Sequence, residues 1–312
     1  MISKQDFLRA VQTEIFPILK QNQGKMKRYS WLSKAIIISS FVLMIFFSLL
    51  YAYLCDHHVL NTHKWVYFLL IFSFLVITGL ALEFYNRCCK RIKSMVNPKI
   101  FYLLGLDNNI YFDNPLKEMA GTGIFPYFDD KIMEDSFNYE IGDSFAIRET
   151  QHSLFVQEVE LENENNRRRQ HIFSGIVISA KQLRPVDFSL LILDKKSSKA
   201  KLSEVKIKWQ KIAEDFPDKE FLFYTDNPQA CMGYLTPTFI SVIEKLKADG
   251  EEPLNILFHN GKIFLAFSTH RDLFEYINWD NFSDIEPYEE LYDDIQSIHQ
   301  VDELLMELEE KY

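Results

Sequence analysis

Residues 35–55 read AIIISSFVLMIFFSLLYAYLC, an uncharged run held between Lys34 and Asp56. Coiled as a helix at about 1.5 Å per residue, it is about 31 Å long, matching a hydrocarbon core of about 30 Å. A cleaved leader carries a shorter apolar region followed by small residues. Here Tyr51, Tyr53 and Leu54 stand where those would be needed, so the segment is expected to stay in the chain. A second uncharged run, WVYFLLIFSFLVITGLAL at residues 65–82, gives about 27 Å of helix. Trp31, Tyr51, Tyr53, Trp65, Tyr67, Phe84 and Tyr85 lie at the ends of the two runs, where aromatic rings suit the headgroup level. Together the runs predict a transmembrane hairpin within residues 31–86, with spans at about 33–55 and 65–83.

Orientation follows from the flanking cations. Lys20, Lys25, Lys27, Arg28 and Lys34 precede the first run, and Arg87, Lys90, Arg91, Lys93 and Lys99 follow the second, whereas the connecting loop offers only Lys64. Both termini are therefore expected in the cytoplasm. The formal net charge of −10 divides unevenly: residues 1–99 carry +9 and the remainder −19. A strongly acidic soluble part argues against nucleic-acid binding, which needs a basic stripe to neutralise phosphates.

Cys55, Cys88, Cys89 and Cys231 form no disulfide framework. Cys88 and Cys89, beside Arg87 and Lys90, have the setting of an acylation site, but two unmodified interfacial thiols are the simpler reading. In the loop CDHHVLNTH, Asp56, His57, His58 and His63 are of metal-ligating type, yet the spacing matches no established site, and a polar interfacial loop is the simpler reading.

Residues 1–30 are expected to form an amphipathic cytoplasmic helix. Ser3 and Asp6 have the spacing of an N-terminal cap, and Phe7, Val11, Ile15 and Leu19 share one face. Pro17 is expected to bend or break it. The helix has two natural resting places, the inner leaflet and the soluble part of the chain. Residues 87–140 read as a juxtamembrane, loop-rich segment. Its GTGIFP has Pro126 where a dinucleotide fingerprint needs a third glycine, so it reads as a turn.

Residues 141–312 read as a cytoplasmic α+β domain. DSFAIRET, SLFVQEVEL, HIFSGIVISA and VDFSLLIL have strand length and β-branched or aromatic enrichment. Between the second and third of these, ENENNRRRQ reads as a hairpin tip whose Arg167, Arg168 and Arg169 could meet anionic headgroups or an acidic partner. EFLFYTD is a further strand. Thr236 and Pro237 mark a helix start running to Gly250, and Asn260-Gly261 is the turn pair of a tight hairpin. Residues 272–312 hold 14 acidic side chains and one Lys, but apolar residues recur at steps of three and four through Leu304, Leu305 and Leu308. This is an amphipathic helix with one face committed to burial, either on the domain's own sheet or against a docked protein.

The catalytic motifs that can be read locally are missing: no HExxH, GxSxG, GxxxxGK[ST] or CxxC occurs. His152, His171, His259, His270 and His299 are scattered, and each fits a satisfied core or surface role. No cofactor, metal or catalytic residue is assigned on these grounds.

The order of two apolar runs, then GTGIFPYFDD, MEDSFNYEIGDSFAIRETQ, HIFSGIVISA, FLFYTDNPQACMGYLTPTFISVIEKL, NGKIFLAFSTHRDLFE and a closing acidic helix resembles a bacterial two-span membrane family classed as domain of unknown function 3137. Asn138 and the KQLRP segment after the third strand depart from that pattern. The resemblance implies a bacterial inner-membrane protein with a cytoplasmic domain, and it carries over no active site. The expected architecture is α+β: a two-helix transmembrane hairpin, then a mainly antiparallel sheet closed by an amphipathic helix. The expected function is a membrane-anchored binding or scaffold protein that recruits a cytoplasmic protein partner or a lipid headgroup. Within that class, seven strands followed by a helix bring to mind a barrel of pleckstrin-homology type, by fold analogy alone. The alternative is a membrane-tethered hydrolase or transferase whose site is assembled from distant residues.

Overall fold

The computed structural model describes residues 2–56, 64–107, 115–125, 137–147, 150–165, 168–197, 207–212, 220–247, 253–269 and 274–310. They form two compact units, residues 2–103 with 276–289, and residues 104–275 with 290–312.

The first unit is helical. Helix α1 (Lys4–Ala10) is capped by Ser3, whose Oγ accepts the Asp6 N–H at 3.2 Å. A π-helical turn at Val11–Ile15 follows, and then α2 (Phe16–Asp56). The helix does not break at Pro17. A proline lacks the N–H that would bond four residues back and its ring crowds that carbonyl. The π turn widens the coil just ahead of it, with Phe16 N–H reaching back to the Val11 carbonyl. Phe7, Val11, Ile15 and Leu19 are all buried, so their shared face is turned into protein. Helix α3 (Lys64–Leu104) carries Pro98 internally and runs antiparallel to α2. Ser33 Oγ donates to the Ala81 carbonyl at 2.8 Å, Tyr29 meets Phe84 edge-on, and Phe47 stacks on Phe74. Near the far end of α3, Lys99 pairs with Glu14 at 3.3 Å and Asn97 accepts from the Tyr276 hydroxyl.

The apolar stretch of this pair is on the outside. Ile38, Phe41, Phe46 and Leu49 of α2 and Leu75 and Leu80 of α3 are each more than half exposed. These are two helices long and apolar enough to cross a membrane.

The second unit is built on an open antiparallel sheet. Among the described residues it has nine strands: β1 (Leu106–Asp107), β2 (Phe137–Ile147), β3 (Phe155–Asn165), β4 (Arg168–Lys181), β5 (Leu190–Asp194), β6 (Gln210–Lys211), β7 (Phe221–Thr225), β8 (Leu254–His259) and β9 (Lys262–Ser268). Their order is β1-β2-β3-β4-β9-β8-β5-β7-β6, every pairing antiparallel. Among the described residues the order is linear, with β1 and β6 at its ends and no pairing between them, where the closed barrel of the analogy would have one. Asn260 and Gly261 take φ of 51° and 72°, the left-handed pair that a two-residue hairpin between β8 and β9 requires.

Alternation along the strands sends side chains to two faces. On one face Val159, Phe173, Leu191, Leu257 and Phe264 pack under α4 (Pro115–Met119) and the turn after it. That turn is the GTGIFP segment, with Gly121 and Gly123 at positive φ. Trp209 Nε1 donates to the Thr122 carbonyl at 2.7 Å, and Asn255 Nδ2 to the Ile124 carbonyl at 3.1 Å. The other face carries α5 (Pro228–Met232), α6 (Pro237–Lys247) and α7 (Glu286–Glu310), with Phe239 of α6 over Phe258 of β8. Thr236 caps α6 as its sequence implies, accepting the Phe239 N–H at 3.2 Å. The chain is thus a mixed α+β protein: long apolar helices, an antiparallel sheet, then a closing helix.

Cys231 of α5 is fully buried, and burial pushes its thiol up to about 11. Thiolate is the nucleophilic form, so Cys231 is expected to resist maleimide at pH 7.5 in the native chain and to react on denaturation. Mass spectrometry on a chain with Ser at positions 55, 88 and 89 checks this.

Candidate functional site

The closing helix turns two of its acidic residues inward. Asp302 and Glu309 are seven residues apart, two turns along α7, with Leu305 between them on the same buried face. Asp302 closes over the turn between β2 and β3. Its Oδ2 accepts the Gln151 N–H at 3.0 Å, and its Oδ1 accepts the His152 N–H at 3.2 Å and faces His152 Nδ1 at 2.7 Å. An ionised carboxylate only accepts, so Nδ1 carries the hydrogen in this contact. His152 is fully buried, and its backbone carbonyl accepts the Lys181 N–H at 2.8 Å. This histidine is a core residue, but the satisfied role expected from sequence is met only in part, since its Nε2 has no hydrogen-bond partner among the described residues.

Glu309 ties down the next connection. Its Oε2 accepts the backbone N–H groups of Leu183 at 2.8 Å and Arg184 at 3.2 Å, and lies 3.8 Å from His152 Nε2. Its other oxygen, Oε1, has no hydrogen-bond partner among the described residues, nor has Gln182 Oε1 beside it in the KQLRP segment. Glu309 is 7% exposed and Gln182 3%.

Both side chains line a small, partly open cavity of about 20 Å³, room for about one water molecule. Its apolar wall comes from alternate residues Val186, Phe188 and Leu190 leading into β5, from Phe239 and Phe258, and from Leu308 of α7. Phe188 and Tyr234 meet edge-on at 5.1 Å and brace one side. The buried end offers oxygen acceptors, and Arg184 stands exposed at the rim. Among the described residues no group of three metal-ligating side chains is present.

Of the residues singled out from sequence, Leu308 reaches this cavity, Leu305 is buried beside it in α7, and Leu304 is half-buried. Arg167 lies outside the described residues, as do the side chains of Arg168 and Arg169, whose backbones begin β4 opposite Asn165 and Glu164. The loop histidines 57, 58 and 63 and His270 also lie outside. Gln182 and Glu309 carry no local sequence signal. Only the fold shows that two acids of an acidic helix, Asp302 and Glu309, face inward.

A second polar meeting point has a different character. Ser189 Oγ lies 3.0 Å from His259 Nδ1, and Asp226 Oδ1 accepts the Ser189 backbone N–H at 2.7 Å. A hydrolytic triad needs the acid on the imidazole, orienting it toward the hydroxyl. Here the acid holds the backbone of the serine. Burial lowers the His259 pKa, partly opposed by the negative charges of Asp226 and Glu118.

No curated protein matches the chain, and no solved structure does. Residues 171–307, from β4 into the last turn of α7 and leaving out both long apolar helices, match the model of an uncharacterised family described as Protein of unknown function (DUF3137).

Proposed function

We propose that the protein is a membrane-anchored binding or scaffold protein. In this reading α2 and α3 cross a bacterial inner membrane as a hairpin with both termini cytoplasmic, and the sheet unit recruits a protein partner or lipid headgroup there. The observation that carries it is the exposed apolar surface of Ile38, Phe41, Phe46, Leu49, Leu75 and Leu80. A contiguous apolar surface of this kind is costly in water and natural in lipid. The clusters Lys20 to Lys34 and Arg87 to Lys99, flanking the stretch on one side, support the orientation. The Ser189, His259 and Asp226 geometry lends the enzymatic alternative no support.

Two measurements test it. The full chain is expected to stay in the membrane fraction through alkaline carbonate washing. A periplasm-active reporter inserted at residue 60 is expected to be active, and the same reporter fused after Tyr312 inactive. Release by carbonate, or the reverse reporter pattern, overturns the anchor. Recruitment is tested by a photo-cross-linker at position 168 or 169 in intact cells, where a discrete protein or lipid adduct is expected and an uncross-linked chain contradicts the role given to the arginine tip.

A further inference from the structure

We propose that the base of the apolar helix pair is a binding surface for anionic phospholipid, with Lys25, Arg28, Lys90 and Arg91 holding the phosphate diesters of the surrounding leaflet. The inference rests on the hairpin reading and deepens it. Orientation follows from which side the cations lie on, whereas this names the lipid that meets them.

The first ground is charge left without a partner. Lys20, Lys25, Lys27, Arg28, Lys90 and Arg91 are all exposed, and none has an ion pair among the described residues. The acids at the ends of this stretch are already engaged, Glu83 by Arg87 at 2.8 Å and Glu14 by Lys99 at 3.3 Å. No Asp or Glu occurs between residues 15 and 55 or between 84 and 106. Asp280, in the same unit, brings one negative charge near Tyr85, and the balance stays strongly positive.

Position supplies the second ground. Three contacts align the antiparallel helices: Ser33 with Ala81, Tyr29 with Phe84, and Glu14 with Lys99. Read along them, Lys25 is level with Cys88, and Lys90 and Arg91 follow within about one turn. The cations of both helices therefore share one band, about 12 Å deep from Lys20 to Arg28. Exposed apolar surface begins at its edge, with Trp31 71% and Phe84 53% exposed. A headgroup layer is about 5–8 Å thick on each side of the hydrocarbon. Once the apolar surface is in hydrocarbon, the band is immersed in headgroups, and aromatic rings stand at the boundary where they are most at home.

The third ground is the chemistry of the partner. Arg28 and Arg91 give each helix one guanidinium, whose planar fork matches two phosphate oxygens, and the lysines add point charges around them. A zwitterionic lipid cancels its phosphate with its own cation, so only an anionic one neutralises the band. Nucleic acid carries the same phosphates, but it stays in water and leaves Trp31 and Phe84 uncovered.

The test uses the full chain reconstituted in phosphatidylcholine vesicles holding a trace of phosphatidylglycerol or phosphatidylcholine, spin-labelled near the end of the acyl chain. Electron paramagnetic resonance separates lipid slowed at the protein surface from bulk lipid. Phosphatidylglycerol is expected to associate about fivefold more strongly, the scale of one cation beside an anionic surface, and less so at high salt. Lys25→Gln, Arg28→Gln, Lys90→Gln and Arg91→Gln combined are expected to abolish the preference. Lys25→Arg, Arg28→Lys, Lys90→Arg and Arg91→Lys combined are expected to keep it. All four positions are exposed, and folding is checked by far-ultraviolet circular dichroism. Absence of slowed lipid with either label overturns the anchor and this inference together. Equal slowing of both lipids overturns the inference and leaves the anchor standing, as does a preference that survives the Gln variant. Capture of a DNA oligonucleotide by the vesicle-bound chain, with no preference between lipids, assigns the band to nucleic acid and overturns the inference as well.

Discussion

Asp302→Ala is expected to destabilise the sheet unit by about 4 kcal/mol, the range found when one member of a buried polar pair is removed and its partners stay behind. The carboxylate satisfies three donors at once: the Gln151 N–H, the His152 N–H and His152 Nδ1. Truncation leaves all three without their acceptor, the two on His152 in a buried setting and the Gln151 N–H nearer solvent, and each buried unsatisfied group costs about 1–3 kcal/mol. The penalties share one site and do not add in full. For a unit of this size, about 4 kcal/mol corresponds to a fall in Tm of about 8–16 °C, read from the loss of ellipticity on heating. Asp302→Asn, which keeps an acceptor oxygen, is expected to lose less than half as much. Equal loss in both variants would locate the stabilisation in charge rather than in hydrogen bonding.

Gly175→Ala is expected to be worse. Gly175 sits inside β4 at φ 154°, paired with Val159 on one side and Ser268 on the other. A Cβ there would run into the Phe267 carbonyl oxygen and stand 2.9 Å from the Thr269 N. Both are backbone atoms of the neighbouring strand and its continuation, and Thr269 N–H already donates to the Ser174 carbonyl at 2.9 Å. No side chain can swing aside to make room. The β4–β9 pairing joins the two halves of the sheet, so the strands must part or the chain fails to fold. The expected loss exceeds about 4 kcal/mol, seen as failure of the folded chain to accumulate. Gly24→Ala is the matched control. Gly24 lies within α2 with nothing within 4 Å of the added carbon, and alanine there is expected to be neutral or to stabilise by up to about 1 kcal/mol.

The contrast between these glycines shows what the sequence could convey. Local chemistry was legible: the Ser3 and Thr236 caps, the Asn260-Gly261 hairpin and the GTGIFP turn each depend on a few adjacent residues, and each is where its pattern puts it. The long apolar helices were legible by length. Pro17 was legible in part: the α coil is interrupted just ahead of it by the π turn Val11–Ile15, which removes the conflict and lets the helix go on. The barrel analogy is not met among the described residues. Strand number says nothing about whether the first and last strands meet, and here the order runs open from β1 to β6. The cavity was least legible of all. Gln182, Glu309 and Phe258 are brought together by a crossover that places β9 beside β4, a non-local pairing that no window of sequence contains.

That open order has a consequence for recognition. Its outermost described strands, β1 and β6, pair over only two residues each. A guest peptide that extends a sheet needs a run of unclaimed main-chain donors and acceptors several residues long. Since β1 covers only Ala146 and Ile147, the rest of β2, from Phe137 to Phe145, has no strand beside it on that side among the described residues and offers such a template. A peptide joining the sheet there would be held through the backbone that all proteins share, so any selectivity would fall to the side chains beside that edge.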